Sequence, residues 1–250
     1  MDNTDKIKID IAGRGNVAEH LRQAFSLNEE RADTAIVDPH TLDSLRTDAD
    51  FIIICVSDNA IGDVAARIPA DTGAVVAHTS GTTGIEVFGK PGYRYGVLYP
   101  LQTFTKGIPL RYDEIPVFVE GCDSETEKRL AGLGRMFSTN VNHADSKNRR
   151  ALHVASVFAC NFTNHLWTIS EDVLQAEGMR FEDLRPLVTE TLRKAFGTGP
   201  AEGQTGPAVR HDSVTIGRHL EMLSDRPGLA DIYRTLTESI QKYERNKLRP

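Results

Sequence analysis

The chain has 250 residues, with 29 Lys and Arg against 35 Asp and Glu, a formal charge of -6 and a pI near 5.8. The basic residues are scattered, so there is no electrostatic footprint for nucleic acid or an anionic membrane, and a small-molecule partner is favoured. The length suits two domains of ordinary size, each with its own core. The three cysteines, Cys55, Cys122 and Cys160, are odd in number and widely spaced. Cys55 and Cys160 sit inside apolar runs, as reduced core thiols do, so no disulfide framework is indicated. The start MDNTDK is polar, and no run approaches the roughly 20 apolar residues of a membrane span, so a cytoplasmic protein is expected.

The most informative stretch is IKIDIAGRGNVAEHLRQAF, from Ile7 to Phe25. Ile7, Ile9, Ile11 and Ala12 make a short buried strand, and the chain turns at once through Gly13-Arg14-Gly15 into a helix-forming run. Gly13 permits the bend, Gly15 leaves no side chain between backbone and ligand, and Ala18 lets helix and strand pack closely. Free amides of Gly15, Asn16 and Val17 at the helix start would face a pyrophosphate. Gly-x-Gly-x-x-Ala alone is a weak signal; following a strand and opening a helix makes it a dinucleotide-site expectation.

From there to about residue 143, short β-rich runs alternate with helical ones, the pattern of a parallel sheet covered by helices. Strands are predicted at Ile7 to Ala12, Thr34 to Asp38, Phe51 to Val56, Ala74 to His78, Tyr95 to Leu98, Pro116 to Glu120 and Asn140 to His143, with helices in the gaps. The clearest helix is Ser124 to Phe137, with Ser124 as N-cap and Glu127 completing a capping box. Three strand ends carry polar groups at the edge where open α/β sheets bind ligands. The third ends in Val56-Ser57-Asp58-Asn59, where Asp58 or Asn59 is equally suited to capping the next helix. The fourth ends in His78-Thr79-Ser80-Gly81, able to hold a carboxylate or carbonyl, although Thr-Ser-Gly is also an ordinary turn sequence. The fifth leads to YPLQTF, where Gln102 stands among apolar neighbours; a plain loop explains it equally well.

After His143 strand signals vanish. Ala151 to Ile169 reads as an unusually apolar helix, central and shielded on most sides. On it Asn161, Asn164, His165 and Thr168 follow i, i+3, i+4, i+7, and His153 and Ser156 extend the stripe; a polar stripe on a buried helix needs protein or ligand partners. His153 and His165 are twelve residues apart, about 18 Å along a helix, too far to share a zinc ion, and no metal site is assigned. Phe181 to Phe196 is amphipathic, with Pro186 as a kink position. GTGPAEGQTGPAV, from Gly197 to Val209, is a loop followed by Arg210, a candidate carboxylate or phosphate clamp, and by Asp212 or Ser213 as a helix cap. Ser213 to Leu223 and Gly228 to Lys247 finish the chain as helices.

Taken together, GRGNVAEHL, VSDNAI, HTSG, YPLQTF, HVASVFACNFTNHL and QTGPAVRHD resemble a bacterial family of Rossmann-like, oxidoreductase-related proteins whose C-terminal helical domain has no known function. That family is related to 6-phosphogluconate dehydrogenase, pyrroline-5-carboxylate reductase and ketopantoate reductase. The resemblance implies a nicotinamide-dinucleotide fold, a helical domain that commonly dimerises, and an active site between them. Three departures stand out. Only about 25 residues fill the interval 26–50, where the family has a fuller strand and helix. Tyr99 replaces the histidine usual before Pro-Leu-Gln-Thr-Phe. The related hydroxyacid dehydrogenases carry a lysine one turn before the asparagine, and Val157 occupies that place.

The expected fold is α/β: a Rossmann-like parallel-sheet domain over residues 1–143, then an all-helical 6-phosphogluconate-dehydrogenase-like domain over 144–250. The expected function is NAD(P)-dependent hydride transfer to or from a small carbonyl, hydroxy-acid or imine substrate, in a homodimer. The alternatives are a non-catalytic dinucleotide-binding or sensing protein and a dimeric scaffold. Cofactor would meet Gly13, Arg14, Gly15, Asn16, Val17, Asp38, Val56, Ser57 and Asp58; substrate would meet Gly81, Gln102, Asn164 and Arg210. His165, Asn161 and Ser80 are the catalytic candidates, with proton transfer left to His153, His165 or a tyrosine. Asp38, 25 residues after Gly13, suits a ribose 2′-OH and repels a 2′-phosphate, favouring NAD over NADP.

Overall fold

The structure is a computed structural model describing residues 6–89 and 91–247, with side chains described as far as Glu244. The chain forms two compact units that divide between Asn161 and Phe162.

The first unit is a seven-stranded sheet in the order β2-β1-β3-β4-β5-β6-β7. Its strands are β1 (Ile7–Ala12), β2 (Ala32–Val37), β3 (Phe51–Ile54), β4 (Val75–His78), β5 (Arg94–Pro100), β6 (Val117–Gly121) and β7 (Val141–His143). All neighbours pair in parallel except β5 and β6. The parallel strands are buried on both faces, which explains their near-continuous apolar runs. Within β3 the period of two sorts the faces. Phe51 and Ile53 pack with α1 (Asn16–Ser26) and α3 (Ser124–Gly134), while Ile52 and Ile54 pack with α2 (Ile61–Ala65) and Phe88. Ile53 and Ile54 are fully buried, each contributing about 1.5–3 kcal/mol of hydrophobic stabilisation.

All seven expected strands are present, the first with the ends expected and the others with one or both ends shifted. The second begins at Ala32, and the fifth runs on to Pro100, which brings Tyr99 into the sheet. Helices do not fill every gap. The β2–β3 connection is a series of turns held by Arg46, which donates from Nε to buried Asp10 of β1 at 2.7 Å and from Nη1 to Asp33 at 2.8 Å. Among the described residues, the only helical element between β4 and β5 is a 3₁₀ turn, Ile85–Phe88. The cap of α3 is Asp123, not Ser124: its carboxylate accepts the Thr126 amide at 2.7 Å, and the helix ends at Gly134, short of Phe137. A carboxylate is the stronger acceptor for a helix-start amide, so the residue before the serine takes the role.

The expected helix from Ala151 to Ile169 is longer and interrupted. It comprises α4 (Ser146–Ser156), a π-helical segment Val157–Phe162, and α5 (Thr163–Ala176), with the unit boundary at the end of the π segment. Wider π turns shift the phase of the helix face, so His153 and Ser156 do not continue the Asn161-to-Thr168 stripe. Nor is this helix shielded: Val154, Phe158, Phe162 and Trp167 are exposed large apolar residues, and Cys160 is exposed rather than a core thiol.

The second unit contains α5, α6 (Arg185–Gly197), α7 (Ser213–Met222) and α8 (Pro227–Lys247). Pro186 lies in the first turn of α6, after the 3₁₀ turn Phe181–Leu184, where a missing N–H costs no helical hydrogen bond. It starts the helix and does not kink it. Asp212 caps α7, accepting from the Thr215 amide at 3.0 Å and hydroxyl at 2.8 Å. Within the described residues, no helix is long and apolar enough to cross a membrane.

Candidate active site

The turn from β1 into α1 is shaped by its two glycines for different reasons. A Cβ on Gly13 would overlap the Cys55 carbonyl oxygen just beyond β3, so no other residue fits while β1 and β3 stay paired. A Cβ on Gly15 would meet nothing within 4 Å, because it would stand in an open crevice. This crevice, of about 410 Å³, is lined by Arg14, Gly15, Asn16 and Val17 from the turn, Pro39 and His40 after β2, Cys55, Val56 and Ser57 after β3, and Thr79 after β4. Gly15 is the N-cap of α1 and supplies no side-chain acceptor, so the first-turn amides have no capping group. The Asn16 side chain leaves the crevice clear by donating to the Phe104 carbonyl at 3.0 Å. Amides and a positive helix end facing open space fit a pyrophosphate.

On the side of the crevice next to β2, Asp38 follows that strand as expected and has partners already. Arg14 pairs with its carboxylate at 2.9 Å, and the His40 amide donates to it at 2.9 Å. Arg14 is 71% exposed and neutralises the acid from the crevice side. At the opposite side, Asp58 does not cap a helix. It accepts from the Thr82 hydroxyl and so ties the end of β3 to the turn after β4. Cys55, fully buried beneath, has its thiol pushed up to about 12 by burial, which makes it inert packing.

The turn after β4 is internally satisfied. Ser80 is buried, and its hydroxyl accepts the Thr82 and Thr83 amides at 3.1 and 2.9 Å, so this oxygen builds the turn. Its own amide donates to His78 Nδ1 at 3.1 Å, which requires that nitrogen to be unprotonated. Burial, with Arg149 nearby, holds the His78 pKa down to about 3, so the ring is neutral across the physiological range. Arg149, on α4 and completely buried, donates to the Ser80 and Thr83 carbonyls at 3.2 and 2.8 Å and pairs with Glu120 of β6. The guanidinium thus fastens the strand-end turn to the sheet from below.

Above that turn, Tyr99 of β5 meets His153 of α4: the phenolic oxygen lies 3.3 Å from His153 Nδ1. A Cβ on Gly81 would come within 2.7 Å of the Tyr99 ring and 2.8 Å of His153 Nδ1, so the glycine allows the pair to close over the turn. Burial pushes the Tyr99 hydroxyl above its ordinary value; Asp58 adds to the shift and Arg149 opposes it.

Of the residues expected at the site, Arg14, Gly15, Asn16, Val17, Val56 and Ser57 share the crevice. Gly13 supports it from below, Asp38 and Asp58 flank it, and Gly81 covers the tyrosine–histidine pair. Gln102 is exposed and accepts from the Thr103 amide at 2.8 Å, its immediate neighbour. Asn161 is exposed at the end of the first unit. Asn164, His165 and Arg210 are exposed in the second unit, where the first two share a face of α5 with Thr168. Sequence reasoning missed Arg149, Glu120 and His40, and read Thr79 only as part of the polar end of the fourth strand. For Arg149 a signal existed: Asp145 caps α4 by accepting the Asn148 amide at 2.7 Å, and a cap four residues upstream fixes which way the arginine faces.

Comparison with known proteins now bears on this geometry. A Bacteroides fragilis protein described as a candidate NADP oxidoreductase matches with 29% identity and a TM-score of 0.83, over 95% of this chain and 98% of that one. A Thermotoga maritima protein matches at 19% identity and a TM-score of 0.70, over 96% and 100% of the two chains. The reductive aminase from Aspergillus terreus, solved with NADPH and ethyl levulinate, shares the fold at 12% identity and a TM-score of 0.68, over 96% and 94%. No curated protein matches the sequence. The domain of unknown function DUF2520 matches residues 115–240, half of the chain, and the protein accordingly belongs to the DUF2520 family, with the Rossmann-like sheet and helical C-terminal region expected from its sequence.

Proposed function

We propose that the protein is an NAD(P)-dependent oxidoreductase acting on a small carbonyl, hydroxy-acid or imine compound. The observation that carries this reading is the open crevice at the β1–α1 turn, where Gly15 exposes backbone amides and Gly13 is sterically obligatory. The likeness to the Bacteroides fragilis protein over nearly the full length of both chains supports it. Amides of Gly15, Asn16 and Val17 would hold the pyrophosphate; Val56 and Ser57 would border the nicotinamide ribose, with Asp58 beside them. A bound reduced nicotinamide would supply hydride to an electrophilic carbon. The chain's own work is to orient, exclude water and deliver a proton.

Asp38 is kept as the ribose ligand. Its carboxylate favours a free 2′-OH, as in NAD, while the exposed Arg14 beside it offers a 2′-phosphate a partner. Both cofactors therefore belong in the test. Titration with NADH and NADPH, followed by nicotinamide fluorescence and melting temperature, should show saturable binding of at least one. At a hundredfold excess over Kd the stabilisation should be about 2.7 kcal/mol. Silence with both would remove the oxidoreductase reading. Binding without turnover on carbonyl and imine compounds would instead select the sensing protein, a reading favoured by Val157 standing where related dehydrogenases carry a lysine.

The second unit adds a homodimer to this reading. Among its described residues only Ala208 and Ala230 are buried apolar side chains, while Leu187, Leu192, Phe196, Val214 and Met222 are each more than half exposed. A groove of about 600 Å³ between α5, α7 and α8 is lined by Leu166, Ile169, Val173, Met222, Leu229 and Leu236. Apolar surface on this scale calls for cover, and a second copy related by a twofold axis is the commonest way to supply it.

A further inference from the structure

We infer that Tyr99 is the proton donor of the reaction, recharged through His153, and that the substrate reduced is therefore a carbonyl compound, an aldehyde or ketone. This rests on the oxidoreductase reading and deepens it by naming the donor and the substrate class.

The placement comes first. β4 and β5 are parallel, and their last shared pair is His78 with Val97. Tyr99 stands two residues further on, at the same carboxyl edge from which Thr79 enters the nucleotide crevice. Gly81, in contact range of both rings of the pair, is two residues from Thr79, at most about 7 Å of chain. The charges acting on the tyrosine are Asp58 and Arg149. Arg149 is fully engaged by Glu120 and the Ser80 and Thr83 carbonyls, so it shapes the field without competing as a donor.

The chemistry follows from a neutral phenol beside an imidazole. With His153 donating from Nδ1 to the phenolic oxygen, the Tyr99 O–H is left to point at substrate. A bound reduced nicotinamide would supply the hydride for the new C–H bond; Tyr99 would give its proton to the carbonyl oxygen as the π pair moves onto it. The tyrosinate recovers a proton from His153 Nδ1, and Nε2 takes one from solvent. One carbonyl, one hydride and one solvent proton give one alcohol. A neutral imine is basic enough to take its proton from water before hydride arrives, and an N,N-dialkylated iminium needs none, because hydride addition alone gives a neutral amine. A placed acid thus has work to do on a carbonyl.

The test uses full-length wild type, Tyr99→Phe, His153→Gln and Gly81→Ala. Without cofactor, the His153 ring is observed by 15N NMR: Tyr99→Phe and Gly81→Ala should each change the Nδ1 resonance, because each removes or disturbs the contact between the phenolic oxygen and Nδ1. With whichever cofactor binds, Tyr99→Phe should slow aldehyde and ketone reduction about 100-fold while slowing a cyclic N-methyl iminium less than about threefold. His153→Gln should slow carbonyl reduction less than Tyr99→Phe does and change its pH profile. An unchanged His153 Nδ1 resonance in both variants, equal slowing of carbonyl and iminium, or a cofactor-loaded wild type that reduces no carbonyl each overturns the donor assignment and leaves cofactor binding standing. Failure of wild type to bind either cofactor overturns the oxidoreductase reading itself, while the cofactor-free 15N spectrum still reports whether the pair exists.

Discussion

The two units solve the problem of burying apolar residues in opposite ways. Through residue 161 the sheet sandwiches its isoleucines and valines between helices, and several of its buried polar groups are matched: Asp10 with Arg46, Arg149 with Glu120, His20 with Tyr112. From residue 162 onward, no residue of α5, α6 or α7 is buried, although each helix carries large apolar side chains. The first unit is a closed core with a crevice at its edge; the second leaves its large apolar side chains at the surface. Ligand chemistry belongs where packing is complete enough to fix side chains, and assembly belongs where it is not.

Arg149 tests the closed unit most severely. Replacing it by Met would leave Glu120 without its cation and strip hydrogen bonds from the Ser80 and Thr83 carbonyls, at a cost of about 4 kcal/mol in denaturant unfolding. Adding Glu120→Gln should restore part of that loss, because the uncompensated charge disappears. A cost under about 1 kcal/mol would mean that the turn after β4 is not held by this residue.

Met222 is the corresponding probe of the open unit. It is 70% exposed and lines the apolar groove. On a monomer, Met222→Asp at such a site should change stability by no more than about 0.5 kcal/mol. In a twofold dimer the change occurs twice, and at about 1.4 kcal/mol for each copy the dimer Kd should rise about 100-fold in sedimentation equilibrium. A wild type that sediments as a monomer at micromolar concentration would break the contrast between the units.

The sequence carried the sheet unit clearly because its strands alternate or run apolar and its glycine turn is local: all seven strands and the crevice residues of the glycine turn, with Val56 and Ser57, could be read from short stretches. What escaped was long-range. Nothing near Tyr99 announces His153, and nothing near Ser80 announces Arg149, since each pair is closed by the return of α4 to the sheet. The apolar helix from Ala151 misled for a physical reason. Apolarity signals the need for burial, and the sequence does not say whether the chain itself or another copy provides it. Asp123 was missed as the cap because Ser124 and Glu127 also satisfied the local pattern.

His78 gives the smallest and most specific effect, and it sharpens the comparison by locating acid sensitivity in the closed unit. The ring is buried, stacks on Phe88 at 5.6 Å between centroids and accepts the Ser80 amide, all of which favour the neutral form. Its pKa falls from 6.5 to about 3 on folding. Between those values the unfolded chain binds a proton that the native state excludes, so this contribution is present above pH 6.5 and is lost as pH falls towards 3. The slope approaches about 1.4 kcal/mol per pH unit. Glu19, held down to about 2 by Arg22 and Gln23, loses its own contribution as pH falls below 4.5. Urea unfolding between pH 6.5 and 5 therefore isolates the histidine. His78→Gln should lower stability overall yet flatten this part of the profile, and the slope is the readout, because any core substitution lowers the height. An equal slope in both proteins would mean that His78 takes up its proton in the folded state, and the turn above it would then have to tolerate a charged ring against Arg149.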